Sequence, residues 1–375
     1  MHYLDYASHA PIRPEVAAAV HDAMLRYVGD PGRIHHAALA TRSAIEQARE
    51  QVAKSLGVTQ REVIFTATGT EAVNAAIFGA AQHGSVVRSA VEHSAVRDAL
   101  RRAPVSEIVA PVDGLGRVDP DEMLGAIRAD TKLVCIQFAN PEVATLQPVA
   151  TVVAGARDRG ILTFVDARPA YGYALIDLTA LGADLCAITA HTAGGPTGIG
   201  ALIVRRGLRI EPLIVGGAQE RARRAGMEHV AGIVGFGTLA ATLTPDQIAT
   251  DALRYLALTD ALAAIATNVP EVVQYGDHVD RLANIVCFGV GGVEAEPVLL
   301  GLDQRGIAAH SGSACSSEII EPSPVLAAMG VDADQSLRLS VGWNTTDDDV
   351  RAFARAFPEV VASLRALRLE HTPNA

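Results

Sequence analysis

Short apolar runs recur along the first half of the chain: EVIFT at 62–66, VVRSAV at 86–91, KLVCIQF at 132–138, ILTFVD at 161–166, DLCAIT at 184–189 and GALIVRR at 200–206. Stretches of helical periodicity, such as SAIEQAREQVAKSLG at 43–57 and PDEMLGAIRAD at 120–130, fall between them. Strand-length apolar runs separated by amphipathic helices predict α/β architecture with a mostly parallel sheet. Past about residue 235 the pattern changes to a long Ala- and Leu-rich helix around 245–267, strands near 284–290 and 336–341, and a terminal helix over 347–367. This second pattern predicts a smaller α+β domain, and 375 residues suit two domains better than one.

Composition narrows the class. With 49% hydrophobic and 19% charged residues the chain can bury a large core, which excludes disorder, collagen and coiled coil. Lys plus Arg number 31 against 42 Asp plus Glu, a net charge of −11 with no basic block, so nucleic acid is not an expected partner. Apolar runs break well short of the roughly 18 residues a bilayer span needs. The start, MHYLDYASHAPIRPEV, lacks a signal-peptide core, and a soluble, cytoplasmic protein is expected. Cys135, Cys186 and Cys287 sit in apolar runs and read as small buried hydrophobes, whereas Cys315 lies in the polar loop SGSACSSE. No cysteine spacing suggests a metal site. The only lysines are Lys54 and Lys132, so chemistry that needs an amine has two candidates.

Four segments carry candidate chemistry. TATGTEAVNAAIFGAA (66–81) is a strand end, a Gly/Thr turn and a helix start; it reads equally as an anion site on free backbone N–H groups or as a plain capped turn. FVDARPAYG (164–172) places Asp166 at a strand's carboxyl end, where open α/β sheets keep their ligand crevice; the competing reading is a helix cap. ITAHTAGGPTGIGALIVRR (188–206) follows a buried strand with a glycine-rich turn carrying His191, and VEHSAV (91–96) puts His93 after another strand.

Taken in order, these blocks, together with NPEVATLQPV, EPLIVGGAQERARRAGMEHVAGIVG, RGIAAHSGSACSSEIIEPSPVLAAMG and SLRLSVG, resemble the cysteine desulfurases of the class V aminotransferase superfamily over essentially the whole chain. The resemblance implies a fold-type I architecture: a large α/β domain at 15–245 with a mostly parallel seven-stranded sheet, and a small α+β domain from 1–14 and 246–375 that carries a mobile cysteine loop. It implies pyridoxal phosphate as cofactor, with its ring on His93, its pyridinium nitrogen on Asp166, and its phosphate near Gly69, Thr70, Thr189 and His191. It further implies Arg338 for the substrate carboxylate, Cys315 as the sulfur-accepting cysteine, and a homodimer.

The same resemblance exposes departures. Where the family reads Ser-x-His-Lys this chain reads Thr189-Ala190-His191-Thr192, so the Schiff-base lysine is replaced by Thr192 and covalent cofactor binding is not expected. Pro141, Pro169 and Met227 replace side chains that would hydrogen-bond near the cofactor; Asp30-Pro31-Gly32-Arg33 replaces a carboxylate-binding segment, and Pro324 a histidine. Three functions stay open: a paralogue without ordinary desulfurase chemistry that handles persulfide through Cys315 or supports an active paralogue or a sulfur acceptor protein; an enzyme holding pyridoxal or pyridoxamine phosphate without a covalent link, with His191 as base; or a desulfurase working by another route. The resemblance also implies that Arg221, Arg223 and Arg224 lie near the dimer interface and the cofactor, though QERARRAG reads equally as a solvated charge run; His310 lies five residues before Cys315.

Overall fold

Four strands of the central sheet, Val63–Thr66, Ser85–Ser89, Leu185–Thr189 and Gly200–Val204, are buried at every residue. Burial on both faces removes any pressure for alternation, which is why they read in sequence as continuous apolar runs. The computed structural model describes residues 1–312 and 323–371. In chain order its strands are β1 (His2–Tyr3), β2 (Val63–Thr66), β3 (Ser85–Ser89), β4 (Ser106–Ala110), β5 (Thr131–Gln137), β6 (Leu162–Asp166), β7 (Leu185–Thr189), β8 (Gly200–Val204), β9 (Val272–Tyr275), β10 (Ile285–Val290), β11 (Ile307–Ala308) and β12 (Ser336–Ser340).

The seven-stranded sheet has the order β2-β8-β7-β6-β5-β3-β4. β4, β3, β5, β6 and β7 pair in parallel, whereas β8 runs antiparallel to both β7 and β2. Two reversals cancel, so β2 points the same way as β7 and its end joins the carboxyl edge. The expected fold-type I sheet is present, with one strand reversed. β12, β10 and β9 form an antiparallel sheet of their own, and β1 pairs with β11.

Element ends differ from the sequence reading where a cap or an edge decides. The helix expected at 43–57 spans His36–Ser55, because the His35 ring accepts from the Ala38 amide and starts it early. The helix expected at 120–130 ends at Gly125. β4 was missed: it is an edge strand, largely open to solvent, and SEIVA shows no clean apolar period. The helix Pro245–Thr267 is as expected and Asp347–His371 runs slightly longer. Among the described residues no helix is long and apolar enough to cross a membrane.

One buried ion pair ties distant segments together. Arg49, in the His36–Ser55 helix, donates to both carboxylate oxygens of Glu220 at 2.6 and 2.8 Å and to the Val63 carbonyl at 3.1 Å. Glu220 also accepts from the Phe65 amide at 2.9 Å, although its own backbone sits at φ 47°. Removing the carboxylate strands a buried guanidinium that retains the Val63 carbonyl and a half-exposed acid, Glu46, at 3.0 Å. Glu220→Ala is therefore expected to cost about 3 kcal/mol in urea unfolding. Asp30→Ala, which removes an exposed partner of Arg33, should stay within about 0.5 kcal/mol.

Candidate functional site

The ends of β2, β3, β5, β6 and β7 deliver most of the predicted residues to one edge of the sheet, where chain reversal leaves backbone groups and side chains facing a crevice. After β2, Thr68 caps the helix Gly69–Ala80 by accepting from the Glu71 amide at 3.0 Å. Both readings of this segment thus retain content: the turn is capped, and Gly69 is buried at the crevice while Thr70 is exposed. Gly200, opening β8, permits the approach: a Cβ there would lie 2.7 Å from the Gly69 nitrogen.

Asp166 ends β6 and is almost fully buried. Its carboxylate is already engaged. Arg168 donates from Nε to Oδ1 at 2.7 Å, from Nη2 to Oδ2 at 2.6 Å, and from its backbone N–H to Oδ1 at 3.2 Å. Burial alone would raise the Asp166 pKa, but the Arg168 guanidinium outweighs it and holds the carboxyl below its usual range. The Arg168 stem lies against the 68–70 turn, since a Cβ on Gly69 would stand 2.4 Å from Arg168 Cδ. Arg168 escaped the sequence reading; the available signal was a cation two residues past a strand-end aspartate.

The two histidines flank this pair. His93 caps the helix Ser94–Arg102, its Nδ1 accepting from the Ala95 amide at 2.9 Å, which leaves the proton of the neutral ring on Nε2. His191 opens a short 3-10 turn, its Nδ1 2.8 Å from the Thr189 hydroxyl and its ring stacked on His9. Burial, reinforced for both by the nearby Arg168 charge, lowers each pKa to about 4, so both rings are neutral at pH 7. Thr192 is buried; its hydroxyl donates to the Arg168 carbonyl at 3.3 Å and its own carbonyl accepts from Tyr173 at 2.6 Å. Lys54 and Lys132 are both exposed, the latter at the amino end of β5, the edge opposite the crevice.

Arg338, in β12, is 1% exposed. Its Nη2 donates to Asp5 at 2.7 Å and Ser8 at 2.6 Å, and its Nη1 to the Pro141 carbonyl at 3.1 Å. Residues 5–13 strap this region to the crevice: the Ala10 amide donates to the His191 carbonyl, the Arg13 amide to that of Gly194, and Trp343 Nε1 to that of Pro11. His310 pairs backbone-to-backbone with Arg338. Cys315 lies outside the described residues. Cys135, Cys186 and Cys287 are buried with thiol pKa values pushed up by burial, as inert core residues.

Several departures have local explanations. Pro324 is the first residue of the helix Pro324–Met329, where its missing N–H costs nothing. Asp30 pairs with Arg33 and caps the Gly32 amide. Met227 is exposed. Arg224 pairs with Glu71 and Arg221 with Glu46, while Arg223 donates to the Arg61 carbonyl. Sequence reasoning also passed over two buried acids. Glu92 accepts from Gln137 N–H and Ser89, Glu142 accepts from Ser323, and burial raises both to about 7. Among the described residues no acid, histidine and cysteine cluster could hold a metal.

These residues do not fit pyridoxal phosphate as the resemblance would place it. The acceptor for its pyridinium is already paired with the Arg168 guanidinium, the stem of Arg168 covers Gly69, and Thr192 offers no amine.

The titrating groups predict a pH signature. Below about 6.5 the unfolded chain protonates histidines that the fold keeps neutral, so His93 and His191 withdraw stability as pH falls from about 6.5 to 4. Glu92 and Glu142 act oppositely: the fold holds protons that the unfolded chain releases, and stability is lost as pH rises from about 4.5 to 7. A His93→Asn/His191→Gln variant keeps the cap but removes the first effect. Its Tm minus that of wild type should fall steadily from pH 4 to 6.5; a constant difference would contradict the assignment.

The aminotransferase class-V family matches residues 2–353 of the chain. The cysteine desulfurase IscS of Dictyoglomus turgidum is 38% identical over 379 residues, covering 97% of this chain and 95% of its own length. The cysteine desulfurase IscS of Methanosarcina thermophila is 39% identical over 376 residues, covering 97% and 92%. The crystal structure of a NifS-like protein from Rickettsia africae matches with a TM-score of 0.89 at 31% identity, over 96% of this chain and 99% of that one. Pyridoxal phosphate is the cofactor associated with this family. The fold and this likeness over nearly the full length together make the chain a member of the cysteine desulfurase family.

Proposed function

We propose that the chain is a sulfur-handling member of the cysteine desulfurase family that forms no aldimine of its own and acts as a persulfide acceptor, or as a supporting subunit, beside an active paralogue. What carries this reading is that the resemblance sets Thr192 where the family has its Schiff-base lysine, while both lysines of the chain are exposed and Lys132 lies at the sheet edge opposite the crevice. A hydroxyl cannot condense with an aldehyde to a Schiff base, and His191, neutral at pH 7, can move a proton but cannot supply the missing link.

The chemistry left to Cys315 is thiol exchange. Its thiolate attacks the outer sulfur of a donor persulfide, the donor S–S bond breaks as the new one forms, the donor leaves as a thiolate, and the Cys315 proton passes to solvent. The resemblance supports a homodimer, and pairing with an active paralogue uses the same fold.

A second reading, a working cysteine desulfurase, is favoured by the 38–39% identity to proteins of that name over 97% of the chain. It requires a route to sulfur release without a lysine. The two separate in one experiment on the purified full-length chain. With L-cysteine and added pyridoxal phosphate, the proposal expects no sulfide and no protein-bound aldimine absorbance. With an active desulfurase and labelled cysteine, it expects label on wild type but not on Cys315→Ser, or a stable complex of the two proteins. Sulfide released by the chain alone would establish the second reading instead.

A further inference from the structure

We propose that Arg168 is a built-in occupant of the crevice: its guanidinium sits on Asp166 where a cationic ring would bind, and the pocket admits pyridoxal phosphate only when that side chain is removed. This concerns binding alone and stands whether or not the chain handles sulfur.

The geometry is that of an occupant rather than of a surface ion pair. The Arg168 side chain is 11% exposed and that of Asp166 1%. Two side-chain bonds of 2.7 and 2.6 Å and a backbone bond of 3.2 Å leave the aspartate with no oxygen unbonded. The stem runs across the turn after β2, 2.4 Å from where a Gly69 Cβ would be, with Thr189 Cβ 3.4 Å from the same point. One side chain thus spans from the strand-end acid to the glycine turn, the two ends of the expected cofactor position. Thr192 holds the Arg168 carbonyl, and Tyr173 holds that of Thr192, so the backbone beneath the arginine is fixed. The neutral rings of His93 and His191 flank the guanidinium without adding a competing positive charge.

A fully paired buried acid has little to gain from a second cation. A ligand must therefore break two charged hydrogen bonds before it can form its own, and its apparent affinity falls by the fraction of molecules in which the arginine has left.

The test titrates pyridoxal phosphate and pyridoxamine phosphate into the full chain. Trp343, the sole tryptophan, lies against Gly194 and reports by fluorescence quenching, with thermal shift as a second readout. Wild type should not saturate at micromolar cofactor. Arg168→Ala should bind about a hundredfold more tightly, roughly tenfold for each side-chain bond released. Arg168→Gln, which keeps an amide donor toward Asp166, serves if the alanine variant does not fold, and should gain at least tenfold. Thr192→Lys alone should remain without aldimine absorbance, and Arg168→Ala/Thr192→Lys should acquire it. Saturable micromolar binding to wild type, a folded Arg168 variant with unchanged affinity, or a full aldimine spectrum from Thr192→Lys alone would each overturn the proposal.

Discussion

A carboxylate buried at the end of a parallel strand must receive a counter-charge, because an ion without one is too costly to hold in a low-dielectric interior. In this protein the counter-charge comes from the chain itself, two residues downstream. Asp166 and Arg168 form their pair within one turn, so no ligand is needed to satisfy the acid. Much of the neighbourhood follows from that closure. Gly69 is covered, the Thr192 hydroxyl bonds to the Arg168 backbone, and the charge beside His93 and His191 helps keep both rings neutral.

Several positions that the resemblance marks as departures have local roles in this fold. A lysine at Thr192 would bring a second cation toward Arg168 in a confined space. Pro324 initiates a helix, and the Pro141 carbonyl accepts from Arg338. Arg338 itself is charge-matched internally by Asp5. The Asp166 end of the crevice is thus internally paired, whereas Glu92, Glu142 and Arg338 each keep one side-chain atom, and Gln137 two, without a partner among the described residues.

The central sheet was legible because its strands are buried on both faces and announce themselves as apolar runs; β4 was not, because an exposed edge strand carries no such mark. The positions of Asp166 at a strand end and of His93 and His191 just after strands were legible in the sequence, Thr189 came in only through the resemblance, and Cys135, Cys186 and Cys287 were legible through their apolar settings. The Asp166–Arg168 pair was beyond reach for a specific reason. Which way an arginine folds depends on the turn it leaves, and FVDARPAYG does not state whether Arg168 points to solvent or back along β6. The buried bond between Arg49 and Glu220 joins residues 171 positions apart and has no local signature at all.

The strap formed by residues 5–13 sets an order on assembly. Its partners include Arg338 and Trp343, reached by bonds that span 333 and 332 positions of the chain. Contacts of such long sequence separation close late. The sheet can collect its strands in turn, and Ala10 can already bond to the His191 carbonyl, but the strap's anchors on Arg338 and Trp343 cannot form until β12 and the residues after it have been made. The crevice thus gains its fully anchored strap only after the central sheet is already complete.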